Sequence, residues 1–359
     1  MRRWLAALGA VFCIGLAGCG GEQTLSGKVL ETCRDEATGQ VYLVVEAEEK
    51  LIGAAIREDT TLWEARTWEQ EGLSLDGVRR GEKLEEMLQE PSVLVRYEGG
   101  KTMLPGPDGG RIPVYEALSV EVTEYWSGES VLLADGTPAQ VWEKRGERVY
   151  QLEGGTELLC VGPEYGPGGV YSADVMGLDT LEEEAREKIL DFYRGKGVGY
   201  NVQEELERAY AEWKGWTGEK AFQPYYAAQE HAPVGSNEEL VSILTSVRKT
   251  VRSGYGEEIR SGQVFRRETG EPVSAWELFG LPEEEAKEKI AQELAENHRA
   301  TAEEYQAALR AEYVILLSDG VEITFPQGEA PGEELGAAWF FDYDEGVGKL
   351  VEPWAVMKK

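Results

Sequence analysis

Hydrophobic and polar residues alternate along much of the first third of the chain, a spacing typical of β-strands with one buried face. The alternation is clearest at residues 92–97 and 117–122, and an unbroken apolar run lies at 41–45. The pattern predicts strands over residues 24–30, 41–47, 51–56, 92–97 and 117–122. A short helix is predicted over 81–88. This element order is that of a five-stranded oligonucleotide/oligosaccharide-binding (OB) barrel, so we expect a small OB-like β-barrel over residues 25–126.

A β-hairpin appendage is expected over residues 127–165. An Asp-Gly pair at 135–136 predicts a tight turn. Two apolar runs, 148–152 and 157–161, enclose a Glu-Gly-Gly turn and predict a hairpin. Proline and glycine then crowd residues 163–169, which indicates a domain boundary.

Helical spacing begins after this boundary and alternates with strand-like runs. Helices are predicted over residues 181–193, over 202–213 and from Pro282 onward. Strands are predicted over residues 240–247, 262–267, 313–317, 321–325 and 337–342. Helices combined with mainly antiparallel strands indicate an α+β domain with an antiparallel sheet over residues 170–359. The fold class of the whole chain is therefore expected to be α+β.

Two motifs in this second half resemble those of a known extracytoplasmic domain. Residues 264–279 (VFRRETGEPVSAWELF) combine a strand, a Thr-Gly turn and a Leu-Phe pair before a helix, and residues 316–329 (LLSDGVEITFPQGE) form the second motif. With Gly336 before the last strand, they resemble the domain shared by RsiV-type anti-sigma factors and PdaC-type peptidoglycan deacetylases. The resemblance covers residues of about 170–345. It implies the fold of that domain and a setting in the bacterial envelope.

The resemblance transfers no catalytic residue. PdaC-type enzymes carry a separate deacetylase domain with metal-binding His and Asp, whereas the histidines here are His231, beside a predicted loop, and His298, on a polar predicted helix. Neither histidine has the spacing of a metal-ligand set. We therefore expect no metal, no cofactor and no catalytic residue. RsiV-type proteins also have a cytoplasmic sigma-binding segment and a membrane span, and this sequence shows neither, so we expect no inhibition of a sigma factor.

The first residues predict a bacterial lipoprotein signal. Two arginines precede an apolar run over residues 4–15, and Leu-Ala-Gly-Cys follows at 16–19, which matches the lipobox. We expect a signal peptide over 1–18, lipid attachment at Cys19 and a tether over 19–24. The protein would then be held by its lipid on the outer side of the bacterial cell membrane. The alternatives are an ordinary signal peptide with a chance cysteine at the cut, or a short buried helix.

Composition adds a strong negative charge to this picture. The 359 residues include 36 Lys and Arg but 67 Asp and Glu, which gives a net charge of −31. The apolar share of 42% is typical of a globular chain. Because such a surface repels phosphate backbones, we expect no nucleic-acid partner, whereas a cationic protein would be attracted.

Cysteine and aromatic residues supply the remaining candidates. Cys33 and Cys160 follow the lipobox and either form a disulfide or are buried separately. The chain has ten Trp and sixteen Tyr, and sugar rings stack on such side chains. The candidates for glycan stacking, with core packing as the alternative, are Trp63, Trp68, Trp213, Trp216, Tyr225, Tyr226 and Trp339.

The sequence thus predicts a non-enzymatic envelope lipoprotein that binds an extracellular ligand. The expected partners are the lipid bilayer, through Cys19, and either a cationic protein such as lysozyme or the glycan of peptidoglycan. Two alternatives stay open. One is a hydrolase that uses acidic residues on cell-wall glycan, and the other is a structural partner of an envelope complex.

Overall fold

A computed structural model shows a sheet-dominated α+β chain whose strands pair mainly in antiparallel fashion, as the alternation predicted. The structure describes residues 22–64, 75–162, 178, 180–218, 220–297, 300–333 and 336–357. The predicted signal peptide, Cys19, Trp68 and His298 lie outside these ranges. Within them, no helix combines the length and the apolar character that crossing a membrane requires.

The described residues form two compact units. The first comprises residues 22–64, 75–128 and 143–145. The second comprises residues 129–142 and the described residues from 146 onward. The domain boundaries expected from the sequence divide the chain differently and stay a prediction.

Six strands and two one-turn helices begin in the first unit. They are β1 (Gln23–Arg34), β2 (Val41–Ala47), β3 (Lys50–Ile56), β4 (Thr61–Glu64), α1 (Asp76–Arg79), α2 (Leu84–Met87), β5 (Gln89–Pro105) and β6 (Arg111–Leu132). β1 pairs antiparallel with both β2 and β5, and β2 pairs antiparallel with β3. β6 pairs parallel with β3 and β4, and antiparallel with β5. Every strand predicted in this region is present, and β4 is additional.

Strand β2 is buried on both faces, which explains its unbroken apolar run. Val41, Leu43 and Val45 belong to the main core of the unit. Tyr42 and Val44 belong to a second apolar cluster on the opposite face, together with residues of β3 and β6. The Tyr42 hydroxyl donates a hydrogen bond of 2.8 Å to a carbonyl at the end of β5. The β5–β6 hairpin therefore packs over this second face.

Ten strands and four α-helices begin among the described residues of the second unit. They are β7 (Pro138–Lys144), β8 (Glu147–Gln151), β9 (Glu157–Val161), α3 (Glu183–Lys196), α4 (Val202–Gly215), β10 (Tyr225–Ser236), β11 (Leu240–Arg252), β12 (Tyr255–Arg266), β13 (Pro272–Val273), α5 (Glu283–Asn297), α6 (Ala302–Ala308), β14 (Val314–Leu316), β15 (Gly320–Phe325) and β16 (Ala337–Asp342). The strand order is β7-β8-β9-β10-β11-β12-β13, and a separate sheet has the order β14-β15-β16. β9 and β10 pair in parallel, whereas β10, β11 and β12 pair antiparallel.

Helices α3 and α4 cover one face of strands β10 to β12. On α3, Ile189 and Tyr193 lie four residues apart and pack against Phe265 of β12. On α4, Leu206 packs in a cluster with Tyr225 of β10. These contacts follow from the helical spacing, which places such residues on one side of each helix.

The opposite face of the same strands is only partly covered. Its end at Leu240 and Val264 belongs to the largest core, with α5, α6 and the three-stranded sheet. The rest runs from Tyr226 on β10 through Arg248 on β11 to Glu258 on β12 and carries polar side chains. This uncovered part is the open face of the sheet.

Strand β10 contradicts the sequence prediction, which placed a loop beside His231. Pro224, Pro233 and Gly235 interrupt the alternation there and suggest a loop. The strand begins after the first proline and takes up the other two residues in a bulge between Pro233 and Gly235. His231 is thus a buried strand residue. The helix predicted from Pro282 with its continuation is present as two helices, α5 and α6.

Candidate functional site

A groove lies on the open face, where β10 meets the β11–β12 hairpin. Its volume of about 410 Å³ lies within the range of small-molecule binding sites. The groove is lined by Tyr226, Arg248, Lys249, Thr250, Gly256, Glu257 and Glu258. One aromatic ring, hydroxyl-bearing side chains and charges of both signs therefore surround one volume.

Tyr226 lies against the sheet because its neighbours on the open face are small. A Cβ atom at Gly162 would lie 2.5 Å from the Tyr226 hydroxyl oxygen and 3.2 Å from its Cζ atom. The same Cβ would lie 2.9 Å from the Cβ atom of Ala228. The outer end of the phenol ring thus rests directly over the glycine backbone. A half-buried ring held in this way presents its other side as a platform.

The charged side chains beside Tyr226 are already paired. The Arg248 guanidinium donates a hydrogen bond of 2.7 Å to the Glu230 carboxylate. The Ser246 hydroxyl donates to the Glu258 carboxylate. These pairs fix the orientation of donors and acceptors along the groove before any ligand arrives, which reduces the entropy cost of binding.

Helix α4 holds the β11–β12 hairpin that forms one side of the groove. The Tyr225 hydroxyl donates a 2.5 Å hydrogen bond to the Glu212 carboxylate, which also accepts from the backbone amide of Ser253 at 3.1 and 3.2 Å. The Arg208 guanidinium lies over the Tyr225 ring, 5.1 Å from its centroid, and donates to the Thr250 carbonyl. The pKa of Tyr225 is raised to about 12, mainly by burial and next by the hydrogen bond to Glu212.

Burial also sets the ionisation of groups on the open face. It raises the pKa of Tyr226, and the negative charge of Glu147 raises it further. The Arg248 guanidinium acts in the opposite direction. Burial raises the pKa of the Glu147 carboxyl, and the charge of Glu157 adds to that effect. The tyrosine is therefore a neutral hydrogen-bonding group at neutral pH.

His231 lies on the helix-covered face and not in the groove. Its Nδ1 atom is 2.9 Å from the Thr245 hydroxyl, and its Nε2 atom is 3.1 Å from the Gln229 side-chain nitrogen. That amide nitrogen also donates to the Gly197 carbonyl at 3.1 Å, so the imidazole Nε2 is the acceptor and Nδ1 carries the proton. This arrangement is a buried polar contact within the core. No group of three or more His, Cys, Asp or Glu among the described residues is arranged to hold a metal ion.

Tyr226 is the described stacking candidate that lines the groove. Its neighbour Tyr225 points to the opposite face and is only 2% exposed. Trp213 stacks on Tyr210 at 5.8 Å between centroids and packs against the α4 core. The structure therefore does not bring these two candidates to the site of Tyr226.

Three further candidates lie elsewhere. Trp216 is 37% exposed at the end of α4, where its indole nitrogen donates to the Lys220 carbonyl at 2.9 Å. Trp63 is equally exposed, at 37%, on β4 of the first unit. Trp339 packs against the largest core, with its ring centroid 5.6 Å from that of Phe325.

The two cysteines of the described residues are thiols. Cys33 belongs to β1 in the first unit and Cys160 to β9 in the second. Burial raises the pKa of the Cys33 thiol, and the nearby charge of Glu31 adds to the increase. Their pairing in a disulfide stays a prediction.

Sequence reasoning missed all the charged residues that line the groove, Arg248, Lys249, Glu257 and Glu258. Arg248 and Glu258 carry no motif, but β11 alternates between apolar residues such as Val241 and polar residues such as Ser246. That alternation indicates a strand with one uncovered polar face. The alternation along β11 could have predicted an uncovered polar face, but it could not have shown which strands lie beside β11.

Comparisons with known proteins give a structural likeness only. No protein-family model matches the chain, and no curated protein matches it. The chain is similar to a solved DUF3298 family protein from Pseudomonas aeruginosa, at 15% identity and a TM-score of 0.28 over 49% of this chain and 79% of that one. It is also similar to a solved DUF3298 family member from Bacteroides fragilis, at 12% identity and a TM-score of 0.34 over 63% of this chain and 95% of that one.

Proposed function

We propose that this protein is a non-enzymatic lipoprotein of the bacterial envelope that binds cell-wall glycan in the groove beside Tyr226. The observation that carries the proposal is the groove itself. An aromatic ring seated over Gly162 borders a volume of about 410 Å³ that is otherwise lined by polar and charged groups. Sugars bind in such sites because their C–H faces stack on the ring while their hydroxyls exchange hydrogen bonds with the side chains around it.

Binding of defined oligosaccharides tests the proposal. Isothermal titration of the purified full-length chain with N-acetylglucosamine oligomers is expected to give saturable heat. Tyr226→Ala should weaken binding roughly tenfold or more, the worth of one well-placed aromatic contact. Trp216→Ala, which removes an exposed ring elsewhere, is the matched control and should bind normally. Equal affinity of the Tyr226 variant and the parent would contradict the proposal.

A cationic protein is the second candidate ligand, and the net charge of −31 favours it. Lysozyme is the probe. Charge steering gives an affinity that falls steeply between low and physiological salt. Binding to lysozyme that survives physiological salt, combined with no binding of glycan oligomers, would replace the glycan proposal with a protein-binding role.

Membrane attachment is proposed from the lipobox. A lipid on Cys19 would hold the protein, and with it the groove, at the outer side of the bacterial cell membrane, close to cell-wall glycan. Expression in a bacterial host with a labelled fatty acid tests this. Label should enter the parent chain and be absent from Cys19→Ala.

Two alternative functions are distinguished by simple outcomes. A glycan hydrolase would release shortened oligomers. The first carboxyl side chain to replace would be Glu147, because burial raises its pKa and its negative charge raises the pKa of Tyr226 in the groove. A purely structural partner of an envelope complex would bind neither oligomer nor lysozyme. Intact oligomers after prolonged incubation with the chain are expected under the binding proposal.

Two fold assignments accompany this proposal. We propose an OB-like arrangement for the first unit, because β1 pairs with both β2 and β5 while β3 pairs in parallel with β6. The two motifs at 264–279 and 316–329 support the kinship of the second half with the RsiV/PdaC-type domain. In the first unit the β5–β6 hairpin covers the outer face of β2, so the uncovered groove of the second unit is the better ligand site.

A further inference from the structure

A second aromatic ring in the second unit is seated in the same way as Tyr226. Phe340 lies on β16 and is 47% exposed. A Cβ atom at Gly320 would lie 2.7 Å from the Phe340 Cζ atom and 2.8 Å from its Cε2 atom. The ring therefore rests over a glycine on the neighbouring strand.

A strip of paired polar side chains links the groove to this ring. Arg248 is paired in register with Glu258, and Arg260 follows two residues later on the same face of β12. The Arg260 Nε atom lies 2.8 Å from the Glu322 Oε1 atom. Glu322 is in turn paired in register with Phe340. The strand register and this ion pair therefore link the groove to the second ring.

The length of this strip exceeds that of a single sugar. The path from β10 crosses β11 and β12, passes to β15 and ends on β16. The pairings β10–β11, β11–β12 and β15–β16 alone give about 14 Å at the usual strand spacing of about 4.8 Å, and the passage from β12 to the separate sheet of β15 adds to this length. A ligand that touches both rings must therefore be an extended chain.

The charges along the strip favour a neutral chain over a polyanion, because Glu258 is held by the Ser246 hydroxyl and adds a carboxylate to two balanced pairs. Its two guanidinium groups are each held by a carboxylate, Arg248 by Glu230 and Arg260 by Glu322. The side chains of Arg260 and Glu322 are also largely buried, at 29% and 12% exposure. Such pairs offer hydrogen-bonding groups without a strong unbalanced field, which matches hydroxyl and acetamido groups.

We infer that Phe340 is a second stacking position and that the ligand of the Tyr226 groove is an extended neutral oligosaccharide that spans both rings. This inference rests on the proposed function, since it assigns the second half of the same site. Two weak contacts joined by one chain add their free energies and raise the affinity well above that of either contact.

Chain-length dependence tests the inference. Titration of the full-length chain with N-acetylglucosamine oligomers of two, four and six sugars is expected to show affinity that rises roughly tenfold or more with length, the worth of one added aromatic contact. Phe340→Ala should remove this rise and leave binding of the two-sugar oligomer unchanged. Phe340→Tyr should keep the rise, and Trp216→Ala is the control for loss of an exposed ring.

The outcomes separate the inference from the proposed function. Affinity that does not change with length, or a rise that persists in Phe340→Ala, overturns the inference and leaves the groove of Tyr226 intact. Absence of binding to every oligomer overturns the proposed function, and the inference with it. Circular dichroism of each variant shows whether the fold is kept, and the Phe340→Tyr variant supplies the decisive comparison if Phe340→Ala does not fold.

Discussion

The phenol ring of Tyr226 rests over the backbone of Gly162, with so little space between them that a Cβ atom at position 162 would lie 2.5 Å from the Tyr226 hydroxyl oxygen. Gly162 is held at the end of β9, where its amide donates to the Ala227 carbonyl at 2.8 Å. The glycine therefore cannot move away easily, and the orientation of the ring depends on the absence of a side chain beneath it.

Gly162→Ala is expected to displace the Tyr226 ring and weaken oligosaccharide binding roughly tenfold, the worth of one aromatic contact. The ring can swing away, but the same Cβ would also lie 2.9 Å from the fixed Ala228 Cβ, so we expect a loss of stability of about 1–3 kcal/mol, as for an overpacked site. Titration with N-acetylglucosamine oligomers and urea unfolding measure the two effects.

The control for this substitution is Gly154→Ala in the β8–β9 turn. No atom lies within 4 Å of a Cβ built at Gly154. The control should therefore bind and unfold like the parent chain. Normal binding by Gly162→Ala would show that the seat of Tyr226 has no part in recognition.

Glu212 links helix α4 to the hairpin that borders the groove, so Glu212→Gln should loosen that hairpin. The carboxylate accepts from the Tyr225 hydroxyl at 2.5 Å and from the Ser253 amide. Loss of a charged acceptor for two donors costs about 1–3 kcal/mol. We expect a lower free energy of unfolding and faster hydrogen exchange at the amide of Ser253.

The matched control for Glu212 is Glu296→Gln, which replaces an exposed carboxylate on α5. Its unfolding should equal that of the parent within about 0.5 kcal/mol, as is usual for surface substitutions. Unchanged exchange at Ser253 in Glu212→Gln would mean that the hairpin is held by other contacts.

The sequence predicted the helices and strands whose hydrophobic pattern is uninterrupted. It failed where proline or glycine residues interrupt that pattern. The apolar run of β2 was recognised because both of its faces are buried. Strand β10 was missed because Pro224, Pro233 and Gly235 read as loop residues, whereas the backbone tolerates them at the strand start and in a bulge. In the sequence, the two prolines and the glycine hide the strand pattern. In the fold, the hydrogen bonds of β10 to β9 and β11 form a strand in spite of them.

The missed strand also limited the prediction of the site. Tyr225 and Tyr226 were named together, and only a strand assignment can show that neighbours point to opposite faces. One is buried beside α4, and the other lines the groove. Phe340 and Gly320 could not be joined from the sequence, because their contact depends on the register between β15 and β16.

The thiol of Cys33 should react slowly in the folded protein. Burial and the charge of Glu31 raise its pKa, and only the thiolate is nucleophilic. Alkylation at pH 8 should therefore be slower than that of glutathione and should accelerate on unfolding. Mass spectrometry of the labelled, denatured chain is expected to find label on both Cys33 and Cys160. Absence of label at both positions before reduction would establish the disulfide instead.

Glu147→Gln should stabilise the protein at neutral pH. Burial raises the pKa of this carboxyl in the folded state, with the charge of Glu157 as the next cause. A raised pKa means that the stability contributed by the group is present below the unfolded pKa of about 4.3 and is lost as the pH rises through the folded value. At pH 7 the ionised, partly desolvated carboxylate therefore costs free energy, and the neutral amide removes that cost.

Urea unfolding of the parent and of Glu147→Gln between pH 3.5 and pH 8 measures this effect. The variant should be the more stable protein at pH 7. Its advantage should shrink as the pH falls through the raised folded pKa of Glu147 and should be lost below the unfolded pKa of about 4.3, where the parent carboxyl becomes protonated in both states. Glu153→Gln, at an exposed turn position, is the control and should follow the parent at every pH. A constant difference across the whole range would mean that Glu147 acts through packing, because only a shifted titration makes the difference depend on pH.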